Sequence, residues 1–292
     1  MKNKKRKFLL FELFRLGKIS VILPVSFTAF TGYFLFNPEI NLSIFLVSIG
    51  VFLQGTAASG LNQVQESLLD SKMERTKSRP IPTGSVNRNQ ALLFVLISFL
   101  AGSFLVYLSG NLMAVLLGVF TLIWYNGIYT PLKKITAFAV IPGSLTGAIP
   151  PVIGWTAAGG SFTDPEAILL AFLFFMGQVP HFWLLILKFG DQYRSAGLPN
   201  LTDVFSTRQI NNLSFIWISA SLSGALLLGL FGILQHPVSK IILILITLSG
   251  IFMFSGLINN TENMKRKKYF ILLNSFYLFL MIILVIDKII ME

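Results

Sequence analysis

The sequence predicts an all-α membrane protein of about nine transmembrane helices with a cytoplasmic N-terminus, and three observations predict it. The 292 residues are 54% hydrophobic and only 12% charged, and the apolar residues fall in blocks of about twenty, the length that crosses a ~30 Å hydrocarbon core. Lys and Arg gather at alternate junctions between blocks. The remaining junctions are short and carry Pro, Gly or Asn, which suits tight connections between antiparallel helices.

Taken in order, the expected spans are 19–36, 41–60, 91–109, 111–130, 136–155, 166–187, 213–234, 238–258 and 269–287. The inner segments are then 1–18, 62–90, 131–134, 188–212 and 259–268. They hold seven, five, two, three and four Lys or Arg, which is 21 of the 23, leaving Lys240 and Lys288 near the outer face. This bias supports the helix count and the orientation together. The outer turns lie near 37–40, 156–165 and 235–237. One bundle can take up the whole chain, so 1–292 reads as a single domain. Its basic start, KNKKRK at 2–7, lacks a short apolar region and small-residue cleavage site after it. It reads as a cytoplasmic flank, 1–18, rather than a signal peptide.

Composition excludes several chemistries. There is no Cys, hence no disulfide framework, thiolate metal site or thiol nucleophile. The net charge of +11 is spread over the inner segments, so topology and anionic lipid account for it and nucleic acid is not expected as a partner.

Two inner segments, 62–90 and 188–212, are too long for turns. In the first, Asn62, Glu66 and Asp70 are spaced i, i+4, i+8, which on a helix stacks them on one face about 6 Å apart. Oxygen ligands so placed suit Mg²⁺, which takes a few carboxylates plus water and phosphate. Arg75, Lys77 and Arg79 follow, and guanidinium groups can take phosphate oxygens in pairs. Acid, metal and base together make a cradle for a diphosphate, and the Pro80 and Pro82 pair is expected to end the helix. A solvated interfacial connector is the simpler reading. Against it, Glu66 and Asp70 follow an apolar block directly, at a depth where carboxylates cost free energy and mark function.

Elsewhere, YNGIYTPLKK at 125–134 places Tyr125, Asn126, Tyr129 and Lys133 at a cytoplasmic helix end, where aromatic and basic anchoring is the alternative. Gly143 and Gly147 have the spacing of close helix packing. His181, inside the sixth expected span, is either functional or a core histidine bonded to a neighbouring helix. His236, on an outer turn, carries no functional expectation.

These residues resemble the UbiA-type membrane prenyltransferases, and within them the heme-farnesylating subgroup. The family carries Asn-x3-Asp-x3-Asp followed by Met-x-Arg-Thr-x-x-Arg. Here Asn62, Glu66, Asp70, Met73, Arg75, Thr76 and Arg79 stand in those places. YTPLKK, GSLTGAIPPVIGW, PHFW and YRSAGLP follow in the subgroup's order and spacing. The resemblance implies a UbiA-type bundle in the cell inner membrane that moves a farnesyl group from farnesyl diphosphate to a vinyl group of heme B. It implies Mg²⁺ held by Asn62, Glu66, Asp70 and Asp191, and diphosphate held by Arg75, Lys77, Arg79 and Lys133. Asn62, Glu66, Asp70 and Arg75 would be catalytic. His181, Tyr125 and Tyr193 would face the acceptor, and a heme A synthase would be a partner.

The sequence also departs from the pattern. Glu66 replaces an Asp, Gln192 stands where the subgroup has Asp before Tyr193, and Thr202 replaces a Pro, with Asp191 and Asp203 as candidate substitute ligands. A different acceptor such as a quinone precursor therefore stays open. So does a non-catalytic isoprenoid-binding protein or a transporter, although transporters more typically place charges at mid-membrane depth on broken helices.

Overall fold

In hydrocarbon, backbone polar groups must bond within their own segment, so apolar blocks of this length close into helices. The computed structural model describes residues 2–109, 111–258 and 263–292, with side chains over 9–109, 111–258 and 267–292. Among the described residues, nine helices are long and apolar enough to cross a membrane: Ile19–Phe36, Leu42–Asp70, Arg88–Leu108, Leu112–Leu132, Ala137–Ala157, Pro165–Ser195, Thr207–Leu230, Pro237–Ser255 and Lys267–Met291. They are called spans 1 to 9. The chain is a multi-pass membrane protein. The inner segment expected at 259–268 lies partly outside the described residues, as do the side chains of KNKKRK.

The largest differences from expectation lie on the cytoplasmic side. Span 2 runs ten residues past its expected end at 60, and span 6 runs eight past 187. Hydropathy marks where a helix leaves the hydrocarbon, whereas the helix ends where its carbonyls find other partners. On span 2 this occurs at Asp70, whose carbonyl accepts from Thr76 Oγ1 at 2.9 Å. The helix therefore stops well before Pro80 and Pro82, contrary to expectation. Those prolines sit instead in a loop of turns that reaches Asn87, whose side chain caps span 3 by a reciprocal bond with Gln90.

Spans 2 and 3 pack most extensively, followed by spans 1 and 5. Span 5 also packs on spans 4 and 6, span 6 on spans 7 and 9, and span 9 returns to span 1. The span 1 to span 5 contact depends on two glycines. A Cβ at Gly32 would collide with the Pro151 carbonyl, and one at Gly154 with the Ala29 carbonyl, so backbones touch where small residues allow it. Gly143 likewise lies against the Tyr129 ring and Gly147 against Gln178. On span 3, Leu93, Leu96, Ile97, Leu100 and Phe104 form an exposed stripe at helical spacing, a surface suited to lipid tails.

Ahead of span 1, residues Lys2–Leu16 form a helix of their own. Leu16 is fully buried in a cluster with Val64, Val86 and Ala91.

Candidate functional site

The cytoplasmic end of span 2 carries an interior stripe of polar residues at helical spacing. Ser59, Asn62, Glu66 and Asp70 are all buried, Asp70 to 1% exposure. Buried carboxylates require partners, and each finds one from a different part of the chain. Asp70 takes Arg79 Nη1 on both oxygens at 2.7 Å. Glu66 takes Lys133 Nζ at 2.7 Å. Asn62 Nδ2 donates to Thr130 Oγ1 at 3.0 Å.

Lys133 arrives by an unusual route. Trp124–Tyr129 is a turn of π-helix inside span 4, the kind of bulge that re-aims side chains at functional sites. Asn126 secures the bulge by donating to the Ala58 carbonyl and to Gln65 Oε1, each at 3.1 Å, and Gln65 Nε2 donates back to the Asn126 carbonyl at 3.0 Å. Thr130 Oγ1 in turn donates to the Tyr125 carbonyl at 2.9 Å. The Lys133 ammonium lies 5.0 Å from the centre of the Tyr129 ring, within range of a cation–π attraction.

The end of span 6 closes the other side. The Arg75 N–H donates to Gln192 Oε1 at 3.1 Å, and Arg75 Nη2 donates to the Tyr193 hydroxyl at 3.2 Å. The Arg75 guanidinium also lies 4.7 Å from the centre of the Phe189 ring. Lys18 adds a further cation. It precedes span 1 in the left-handed conformation, φ 50°, an uncommon state for a residue other than glycine. Burial first, then the cations of Arg79 and Lys133, push its ammonium down to about 7. Burial is the larger cause, and an anion bound beside Lys18 would favour its charged form.

Thus the structure brings Asn62, Glu66, Asp70, Arg75, Arg79, Lys133 and Tyr193 to one end of the bundle, with Tyr125 beside Tyr129 at 5.6 Å between ring centres. It does not bring Lys77, which pairs at the surface with Glu74 at 2.6 Å. Nor does it bring Asp191, whose side chain is fully exposed and lies 3.9 Å from Arg194. Asp203 also pairs with Arg194, at its exposed guanidinium. Both acids sit on the water side of their segment, so neither joins Glu66 and Asp70. His181 contacts the Phe270 ring of span 9, 4.5 Å between centres, and bonds Asn274. These contacts tie spans 6 and 9, and a series of aromatic contacts also runs from Tyr129 through Phe182 to His181.

Sequence reasoning missed Thr130, Gln65, Phe189 and Lys18. Gln65 and Thr130 lie inside the two polar stretches already singled out, at 62–82 and 125–134. Lys18 gave no signal among seven basic residues of the first eighteen.

The donor set can be tested against Mg²⁺. Among the described residues no three His, Cys, Asp or Glu gather into a metal cage. Mg²⁺ is commonly held by one or two carboxylates with waters and substrate phosphates, so Glu66 and Asp70 fit a cation that arrives with its diphosphate.

Comparison with known proteins identifies the family and the fold. The model of the UbiA prenyltransferase family matches residues 25–280. The protoheme IX farnesyltransferase of Oleidesulfovibrio alaskensis is 33% identical over 266 residues, covering 91% of this chain and 92% of that protein. A solved digeranylgeranylglyceryl phosphate synthase superposes with a TM-score of 0.77 at 15% identity, over 96% of this chain and 99% of that one. A UbiA homolog from Archaeoglobus fulgidus bound to GPP and Mg²⁺ gives 0.69 at 15% identity, over 94% and 99%. A nine-span bundle with paired acids and bases at one mouth, matched along nearly its whole length, belongs to the UbiA prenyltransferase family.

Proposed function

We propose that this chain is a protoheme IX farnesyltransferase of the cell inner membrane, acting as a single domain on farnesyl diphosphate and heme B. The observation that carries the reading is the convergence of Glu66, Asp70, Arg75, Arg79 and Lys133, drawn from three separate segments, at one end of the bundle. The likeness to relatives named for heme farnesylation supplies the acceptor.

A bound Mg²⁺, held by Glu66 and Asp70 with Asn62 beside them, would neutralise charge on the leaving diphosphate. The rest of the chemistry falls to the chain itself. Arg79 and Lys133, now paired with those carboxylates, are placed to turn to phosphate oxygens, with Arg75 and Lys18 at the rim. Together they stabilise the charge that builds as the allylic C–O bond breaks. Tyr129 and Phe182 pack edge to face, 6.2 Å between ring centres, and such rings can stabilise a carbocation that the apolar bundle keeps from water. The heme vinyl group attacks the farnesyl carbon. One water then adds its hydroxyl to the resulting cation, its proton leaves with pyrophosphate, and the product is heme O. Tyr125, Tyr193 and His181 are assigned to the acceptor side, and a heme A synthase is the partner that takes the product.

Expression in a strain lacking heme O synthase tests this, with heme extracts read by mass spectrometry. Heme O is expected. Its absence, with a prenylated phenol in the membrane extract instead, would transfer the protein to a quinone-type acceptor.

A further inference from the structure

The N-terminal helix Lys2–Leu16 is bound to the loop between spans 2 and 3 by a charge pair, its acid buried and its base exposed, that the reaction does not use. Glu12 is 3% exposed. Its carboxylate accepts from Arg15 Nη1 on both oxygens, at 3.0 and 3.1 Å, and from Ser85 Oγ at 3.0 Å. Arg15 Nη2 donates to the Ser78 carbonyl at 2.7 Å. That carbonyl belongs to the peptide joining Ser78 to Arg79, the residue whose guanidinium grips Asp70. On the span 2 side, Gln63 Nε2 donates to the Leu16 carbonyl at 2.7 Å, one residue from Asn62.

With the Arg15 side chain 40% exposed, the pair adds little net stability, because water screens the attraction. What it does supply is direction, since a guanidinium bonded to a fixed carboxylate can present its second nitrogen in only one way. Leu16, Val64, Val86 and Ala91 already hold this helix down by apolar packing. The pair is therefore surplus to attachment, and its one long-range product is the placement of the 78–85 loop.

We propose that Glu12 and Arg15 are positioning residues for the diphosphate site, setting Arg79 by holding the Ser78 carbonyl and Ser85. The proposal rests on the diphosphate reading above. Without the clasp the loop keeps its fold but samples wider positions, and the loss falls on diphosphate affinity.

The full chain in detergent, with farnesyl diphosphate and heme B, provides the test. Arg15→Ala should raise KM for farnesyl diphosphate roughly tenfold, the worth of one charge-assisted hydrogen bond, with KM for heme unchanged. Inhibition by pyrophosphate should weaken by the same factor, Glu12→Gln should move both constants in the same direction, and Arg15→Lys should recover part of the loss. Leu16→Ala should lower the melting temperature while leaving KM for the diphosphate in place. Pyrophosphate inhibition that is equal in wild type and Arg15→Ala overturns the proposal and leaves the diphosphate reading standing. The same holds if Leu16→Ala reproduces the Arg15→Ala shift in KM, since the helix would then act through stability alone. If wild type shows no response to pyrophosphate with Mg²⁺, both fall together.

Discussion

The two long cytoplasmic segments, after span 2 and after span 6, look alike in sequence and behave differently in structure. The first buries its acids. Glu66 and Asp70 are buried and each is held by a cation within hydrogen-bond distance. The second leaves its acids in water, with Asp191 and Asp203 sharing the exposed Arg194. What it sends to the site is neutral: the Gln192 amide, the Tyr193 hydroxyl and the Phe189 ring, all on Arg75. Charge chemistry is thus concentrated in the first half of the chain, and the second half orients one arginine. Burial rather than the presence of a carboxylate separates the two, because a charge is worth far more where water cannot screen it.

Substitutions can break that comparison, beginning with the largest expected effect. Asp70→Ala removes the partner of Arg79 and a hard oxygen ligand at once. Turnover should fall on the order of 10²–10³-fold, and stability by about 3–5 kcal/mol as the arginine is left uncompensated. Steady-state kinetics and thermal melts in detergent check both, and near-normal turnover would remove the site from span 2. Gln192→Ala should raise KM for the prenyl diphosphate about three- to tenfold, as for one neutral hydrogen bond. A loss as large as that of Asp70→Ala would show that the second segment carries charge chemistry after all.

Lys18 gives a pH test of intermediate size. Its pKa is depressed to about 7 in the folded chain, below the lysine value of ~10.4, and a bound diphosphate raises it again. Binding therefore takes up a proton above pH 7, so pyrophosphate affinity should weaken as pH rises from about 7 towards 9. Lys18→Met should flatten this dependence, which calorimetry in buffers of different ionisation enthalpy can follow. Folding has the opposite sign: burial of Lys18 disfavours the charged form, so its cost to stability is full below about pH 7 and is relieved as pH rises towards the unfolded value of ~10.4. The smallest effect belongs to Asp191→Asn. Activity should stay within about twofold, as expected for an exposed ion pair, and a tenfold loss would make Asp191 a ligand in the working enzyme.

Sequence alone determined a good deal. Nine apolar blocks and a one-sided distribution of Lys and Arg gave the helix count and orientation, because hydrocarbon thickness and the cost of moving cations across a membrane act on composition. The i, i+4, i+8 spacing placed Asn62, Glu66 and Asp70 on one face, because helical period is local. Tertiary structure decided the rest. Whether Asp191 or Gln192 faces the site depends on one residue's rotation at the end of span 6, about 100° at 3.6 residues per turn, and no local pattern fixes that. Lys77 and Arg79 are two apart in one basic run, yet only Arg79 turns inward, because the loop folds back on Asp70. Lys133 reaches Glu66 through a π-helical turn held by Asn126 and Gln65, contacts more than sixty residues apart. Which cation meets which carboxylate was set by packing between helices distant in sequence.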